Sequence, residues 1–171
     1  MVIIFINYFK SQKMSKFRIL VILCCFLAIA GCKSKKTTVK KAPEPRTTVL
    51  NISNVDTGQK SKAYDLGKRV LMTCNTSKFK PFTTSEATAS VIKNTTQERL
   101  TKTCHNFRLK YGDFKDLKLV EVLRNKSDKT TIYRYKADYS RKIANKELRV
   151  IMNDDNLIAA LKSLDWVDTY K

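Results

Sequence analysis

The sequence predicts an α+β domain: helices first, then a four-stranded antiparallel meander that carries them on one face, over residues 51–171. Three observations predict it. Up to Gly112, apolar residues recur at spacings of three and four; after it, they alternate. The later segments are rich in Val, Ile, Leu and Tyr, the residues that suit a pleated surface. The connections between those segments are too short for crossover helices, so successive strands must run antiparallel. Helices that precede such a sheet pack on one side of it.

Ala63, Leu66, Val70, Leu71 and Cys74 lie on one helical face, which places a helix over about 60–76. Residues 77–84 break the pattern, with Pro81 between Phe79 and Phe82. Thr83 followed by Glu86 reads as a capping box that opens a short helix to about Lys93. Thr95 and Glu98 repeat the signal, and Leu100, Cys104, Phe107 and Tyr111 then mark one face of a third helix. Gly112 is placed to stop that helix in a left-handed conformation. Strands are expected over 117–124, 130–139, 145–152 and 157–164, separated by the turns NKSDK, SRKIA and NDDN. No internal repeat is visible.

Charge is the unusual feature of composition. The chain carries 34 Lys and Arg against 15 Asp and Glu, a net of +19. From Asn51 onward there are 24 basic and 14 acidic residues, a net of +10. That surplus favours anionic partners such as lipid headgroups, an envelope polymer or an acidic protein. A solvated basic face with no dedicated ligand is the alternative, and composition leaves both open.

The N-terminal part reads as an export signal. Lys16 and Arg18 precede the apolar run Ile19–Ala30, which is too short to span a bilayer and of the right length for a secretory signal. Counted from Met14, the leader has ordinary signal length, so Met14 is the expected start and residues 1–13 an upstream extension. The run ends in Ile29-Ala30-Gly31-Cys32, which resembles the bacterial lipobox at all four positions. The resemblance implies a diacylglyceryl group on the Cys32 thiol and cleavage between Gly31 and Cys32. Small residues fit the cut site because a protease must draw extended backbone into a narrow cleft. Lys33 stands where an Asp would favour retention in the inner membrane, so the outer membrane, facing the periplasm, is expected if the cell is diderm. Residues 32–50, rich in Lys with Pro43 and Pro45, read as a solvated tether whose cations can also lie on anionic headgroups.

The stretch TTQERL…FRLKYGDFKDL, followed by the meander, resembles the cystatin-like cone fold of the nuclear transport factor two and SnoaL-like superfamily, from about Ala63 to Trp166. The resemblance implies a cone-like domain. That superfamily hosts enzymes, ligand binders and interaction modules, so the fold does not settle the function.

Candidate chemistry is sparse. His105 is the one imidazole of the chain and no CxxC pair exists, so the usual zinc spacings cannot be built, and neither a metal nor another cofactor is expected. Cys104 and His105 are helix neighbours pointing about 100° apart, poorly placed to share a proton. Glu121, Asp138 and Glu147 are expected as outward charges paired across strands, and Arg134, Lys136, Arg124 and Arg149 as an outward basic surface. Tyr133, Tyr135 and Tyr139 share one strand parity; with Trp166 they could line a pocket, or they could be core packing. Cys74 and Cys104 both face the expected core, where an exported domain can bridge them or leave them as small hydrophobes. An exported protein rarely meets nucleic acid, so none is expected. The expected function is that of a non-enzymatic, membrane-anchored lipoprotein that binds a small ligand or a protein partner. A small lipid-anchored enzyme, or a charge-based binder of anionic polymer, are the alternatives.

Overall fold

The computed structural model describes residues 46–170. The start at Met14, the apolar run, the cleavage position and Cys32 itself lie outside the described residues. The domain is α+β. Its sheet has five strands, β1 (Thr47–Leu50), β2 (Phe114–Asn125), β3 (Thr130–Tyr139), β4 (Lys146–Met152) and β5 (Ile158–Asp165), in the order β1-β2-β3-β4-β5 and antiparallel throughout. Three helices, α1 (Thr57–Thr76), α2 (Ala89–Asn94) and α3 (Gln97–Tyr111), lie between β1 and β2 in the chain, after a single 3₁₀ turn at Ile52–Asn54. The four expected strands are present within a few residues. The fifth is a correction: Thr47–Leu50, read as the end of the tether, pairs with Val122–Asn125. Its four residues carry too little pattern to announce a strand, and only the partner makes one.

The helices cover one face of the sheet. Asp56 caps α1 by accepting from the Gln59 N–H, and Ser77, at φ 55°, closes it in the left-handed region. Ala63, Leu66, Val70 and Leu71 of α1 are buried against Leu117, Tyr135, Leu148 and Val150 of the sheet. Gly67 sits where α1 runs nearest the strands. A Cβ there would lie 3.0 Å from both a Leu148 and a Val150 methyl, so hydrogen at this position lets the helix approach.

The second helix differs from expectation. Thr83 N–H does donate to Glu86 Oε2 at 2.9 Å, the reciprocal half of a capping box, but it closes a turn and not a helix. Ala87 is instead drawn into a parallel bridge with Ile158, through Thr88 N–H to Ile158 O and Ile158 N–H to Glu86 O. Tertiary pairing overrides the local signal, and the helix begins after Thr88. For α3 the cap is Thr96, one residue beyond the expected Thr95. Gly112 ends α3 at φ 78°, ψ −158°, which is not the left-handed cap but a positive-φ extended form open essentially to glycine alone. A Cβ there would meet Ser140 Oγ at 2.0 Å. The Asp113 N–H donates to that same hydroxyl, so the β3–β4 connection docks on the end of α3 only because Gly112 has no side chain.

The face away from the helices is ionic, and here the charges point outward as expected, but Arg134, Glu147 and Arg149 are not solvated. Arg134 is 1% exposed, Glu147 0% and Arg149 8%. Arg134 and Arg149 are direct cross-strand partners, an arrangement that repels on its own. Glu147 resolves it by accepting from Arg134 Nε at 2.7 Å and Arg149 Nε at 2.6 Å through Oε1, and from Arg134 Nη2 at 3.0 Å through Oε2. Arg134 Nη1 reaches Glu121 on β2, and Nη2 also donates to the Val167 carbonyl. The chain after β5 folds over this cluster. Trp166 stacks 4.8 Å from the Arg134 guanidinium and Tyr170 stacks 4.6 Å from that of Arg149. Arg124 is taken up by Asp154 of the β4–β5 turn, and Lys136 does point outward, exposed.

Removing one member of a buried ion cluster leaves uncompensated charge. Glu147→Ala is therefore expected to cost about 3–5 kcal/mol, measured by denaturant unfolding, whereas Asp138→Ala at an exposed position of β3 should stay within about 0.5 kcal/mol.

Candidate functional site

The tyrosine row does not form a pocket wall with Trp166. Tyr133, Tyr135 and Tyr139 are all buried on the helix side, while Trp166 stands on the opposite face over Arg134. Two of the tyrosine hydroxyls are engaged by α1: Tyr133 donates to Gln59 Oε1 at 2.9 Å, and Tyr135 reaches the Lys60 carbonyl at 3.5 Å. Burial pushes the Tyr133 and Tyr139 phenols up to about 12, so these rings stay neutral. Tyr135, itself buried, lines a shallow groove of about 430 Å³ together with Tyr64 and Lys60.

Cys74 and Cys104 are joined in a disulfide with a Cα–Cα distance of 4.7 Å. This answers the alternative left open by the sequence. The bridge ties α3 to α1, and α3 needs the tie. Of its fifteen residues only Cys104 and Tyr111 are fully buried. Gln97 adds a second anchor, accepting from the Phe79 N–H and donating to the Ser77 carbonyl.

Two clefts flank the bridge, and both cysteines line both. One is apolar and small, about 200 Å³, walled by Leu71, Leu100, Phe107, Leu148 and Leu161. The other is polar and larger, about 390 Å³, and collects Thr101, His105 and Arg108 of α3 with Arg141 of the β3–β4 connection. His105 is exposed, as its place on the helix surface predicts. Arg108 Nε donates to Asp113 Oδ1 at 3.1 Å at the rim. Arg141 Nη1 donates to the Leu109 carbonyl at 2.7 Å, and its backbone N–H donates to the Tyr111 carbonyl, so Arg141 also caps the end of α3. Among the described residues no acidic side chain lines this cleft. Sequence reasoning identified the disulfide pair but not the cleft, because Arg141 is distant in sequence and meets α3 where Ser140 docks on Gly112.

Several carboxylates elsewhere are bound to cations. Glu86 takes a two-pronged contact from Arg69, at 2.7 and 3.0 Å, and this together with the Thr83 N–H holds its carboxyl down at about 2. Hydrogen bonds from Tyr64 and then Lys68 hold Asp116 down at about 2. Burial pushes Glu147 upward, but the hydrogen bonds from Arg134 and Arg149 outweigh it and the group lies below the usual carboxylate range. Among the described residues no group of three or more His, Cys, Asp or Glu could hold a metal ion, and no helix is long and apolar enough to cross a membrane.

No protein-family model, no curated protein sequence and no solved structure matches the chain.

Two outcomes follow from this geometry. The bridge closes a loop of sequence separation 30, so Cys104→Ala should cost about 3–4 kcal/mol in the chain-entropy account. In hydrogen exchange the amides of α3 should lose protection first, with β3 and β4 keeping theirs. Glu86 has a folded pKa of about 2 against an ordinary 4.5. The stability it adds is complete above the ordinary value and is lost as pH falls through the folded one. Unfolding midpoints between pH 5 and 2 should therefore decline, and Glu86→Gln should make that decline shallower.

Proposed function

We propose that this chain is a lipid-anchored protein of the bacterial cell envelope whose folded domain is a binding module, not an enzyme. At the membrane end the reading rests on Ile29-Ala30-Gly31-Cys32 in register with the apolar run before it, and on the Lys-rich residues that follow. The anchor is a lipid on Cys32, and in a diderm cell we place the protein at the outer membrane, facing the periplasm. We also assign the domain to the cone-like architecture of the SnoaL-like superfamily, a scaffold that serves binders as well as enzymes.

The observation that carries the binding reading is how the domain uses its carboxylates. General acid–base catalysis works best when a carboxyl has a pKa near the operating pH, inside a cavity. Glu86, Asp116 and Glu147 are displaced in the other direction, Glu86 and Glu147 by the arginines they accept from and Asp116 by Tyr64 and then Lys68. Surplus positive charge then lies on exposed side chains such as Lys118 and Lys136, which face each other across β2 and β3, and Lys162, opposite Arg149 on β5. Such a surface suits an anionic partner: headgroups of the anchoring membrane, an anionic envelope polymer or an acidic protein face.

In the expressing cell, Cys32→Ala should leave an unprocessed precursor that takes up no labelled fatty acid, read by autoradiography and by the mass of the mature N-terminus. Equal labelling of wild type and variant, or a mature N-terminus elsewhere, refutes the anchor. The unlipidated variant should still bind vesicles containing phosphatidylglycerol, weakly, and should release them as salt shortens the reach of surface charge. Binding that is the same at low and high salt removes the electrostatic account.

A further inference from the structure

We propose that the polar cleft beside the disulfide is a phosphate-binding site in which Arg108 and Arg141 take the phosphate oxygens and His105 supplies a third contact. This deepens the binding-module reading and rests on it for the domain's role, but not on the lipid anchor.

Four features of the cleft point to that ligand. First, it holds donors with capacity to spare. A guanidinium carries five N–H groups. Arg108 uses Nε on Asp113, and Arg141 uses Nη1 on the Leu109 carbonyl. Those anchors leave Nη donors of both residues to serve the cleft that they line. Second, the anchors fix the forks. Arg108 lies one turn after Cys104, whose bridge holds α3 on α1. Arg141 is set by its backbone N–H to Tyr111 O and by the docking of Ser140 on Gly112. Little side-chain freedom is then lost when an anion arrives. Third, the two forks come from different elements, the last turn of α3 and the β3–β4 connection. A planar carboxylate is satisfied by one fork, whereas a phosphate has oxygens in tetrahedral directions and can engage both. Fourth, about 390 Å³ is within the range of small-molecule sites, so the phosphate can belong to a larger molecule.

The opposing consideration is the carbonyl end of α3, which repels an anion. Arg141 removes much of that repulsion because it occupies the Leu109 and Tyr111 carbonyls itself. Asp113 is the neighbouring acid. It pairs with Arg108 at the rim, 60% exposed, and competes with the ligand for that fork.

The phosphate could come from a soluble phosphate monoester or from a phospholipid headgroup, and the test separates them. The full-length chain, disulfide intact, is held in neutral maltoside micelles with nitrogen-15 label. One arm titrates glycerol phosphate; the other dopes the micelles with phosphatidylglycerol. In at least one arm, resonances of His105 and of the Arg108 and Arg141 side chains should move together to saturation. Saturation with glycerol phosphate assigns a soluble ligand, and saturation with phosphatidylglycerol alone assigns a headgroup. Arg108→Gln combined with Arg141→Gln should weaken binding by about tenfold or more. Asp113→Asn, which frees Arg108, should tighten it by about two- to fivefold. Lys93→Gln in α2 and Lys129→Gln in the β2–β3 turn, both exposed and outside the cleft, should leave it unchanged. If the double arginine variant unfolds because Arg141 caps α3, Asp113→Asn decides alone. Absence of saturation in both arms, weaker or unchanged binding in Asp113→Asn, or equal losses in the lysine variants would overturn the site. None of these readouts depends on acylation of Cys32, so failure here leaves the anchor standing.

Discussion

The carboxylate of Glu147 is the constraint around which the sheet is organised. It is fully buried between two arginines that face each other across β3 and β4. Neither cation tolerates burial alone, and neither tolerates the other without the carboxylate between them. The cluster therefore demands one register. β4 must place Glu147 diagonal to Arg134, and β2 must place Glu121 beside it, which it does after a bulge between Leu119 and Glu121. The chain after β5 has to return over the outer face so that the Val167 carbonyl, Trp166 and Tyr170 seal the arginines from water. A strand slipped by one residue would turn these charges into the apolar side.

The two faces of the sheet thus solve different problems. The ionic face selects the register at the expense of desolvating charge. The helix face supplies burial, with α1 laid close on the strands because Gly67 permits it. α3 is the weakly held element. Most of its surface is exposed, and it stays in place through the disulfide, Gln97 and the contact at Gly112. The clefts lie where this loosely packed helix meets the rest of the domain. Their position follows from the packing: a helix attached at a few points leaves concavities between those points, and the side chains on its open flank are those free to serve a ligand.

The domain's charge surplus has a similar origin. The ion pairs of Arg69 with Glu86, Lys68 with Asp116 and Arg134 with Glu147 absorb acids and bases into the fold. Cations such as Lys118 and Lys162 remain exposed on the surface. If Cys32 carries the proposed lipid, those cations are held near an anionic surface at high local concentration, where weak individual attractions add.

The sequence by itself determined the order and type of the helices and of the last four strands, the helix side of the sheet and the bridge candidates. These rest on periodicity and on short motifs, which are local quantities. The helix period of Ala63 to Cys74 and the alternation of Tyr133 to Tyr139 are each written into a dozen residues or fewer. Tertiary structure alone decided the rest. Thr47–Leu50 is a strand because Val122–Asn125 lies beside it. The Thr83–Glu86 box closes a turn because Ala87 is claimed by Ile158. Arg134 and Glu147 read as outward residues by parity, which is correct, yet outward is not exposed: the segment from Trp166 to Tyr170 covers them. The polar cleft joins Arg108 to Arg141 through a glycine and a serine whose contact no spacing rule encodes. In every such case the deciding neighbour is distant in sequence, and burial is a property of what the chain places on top of a residue, not of the residue itself.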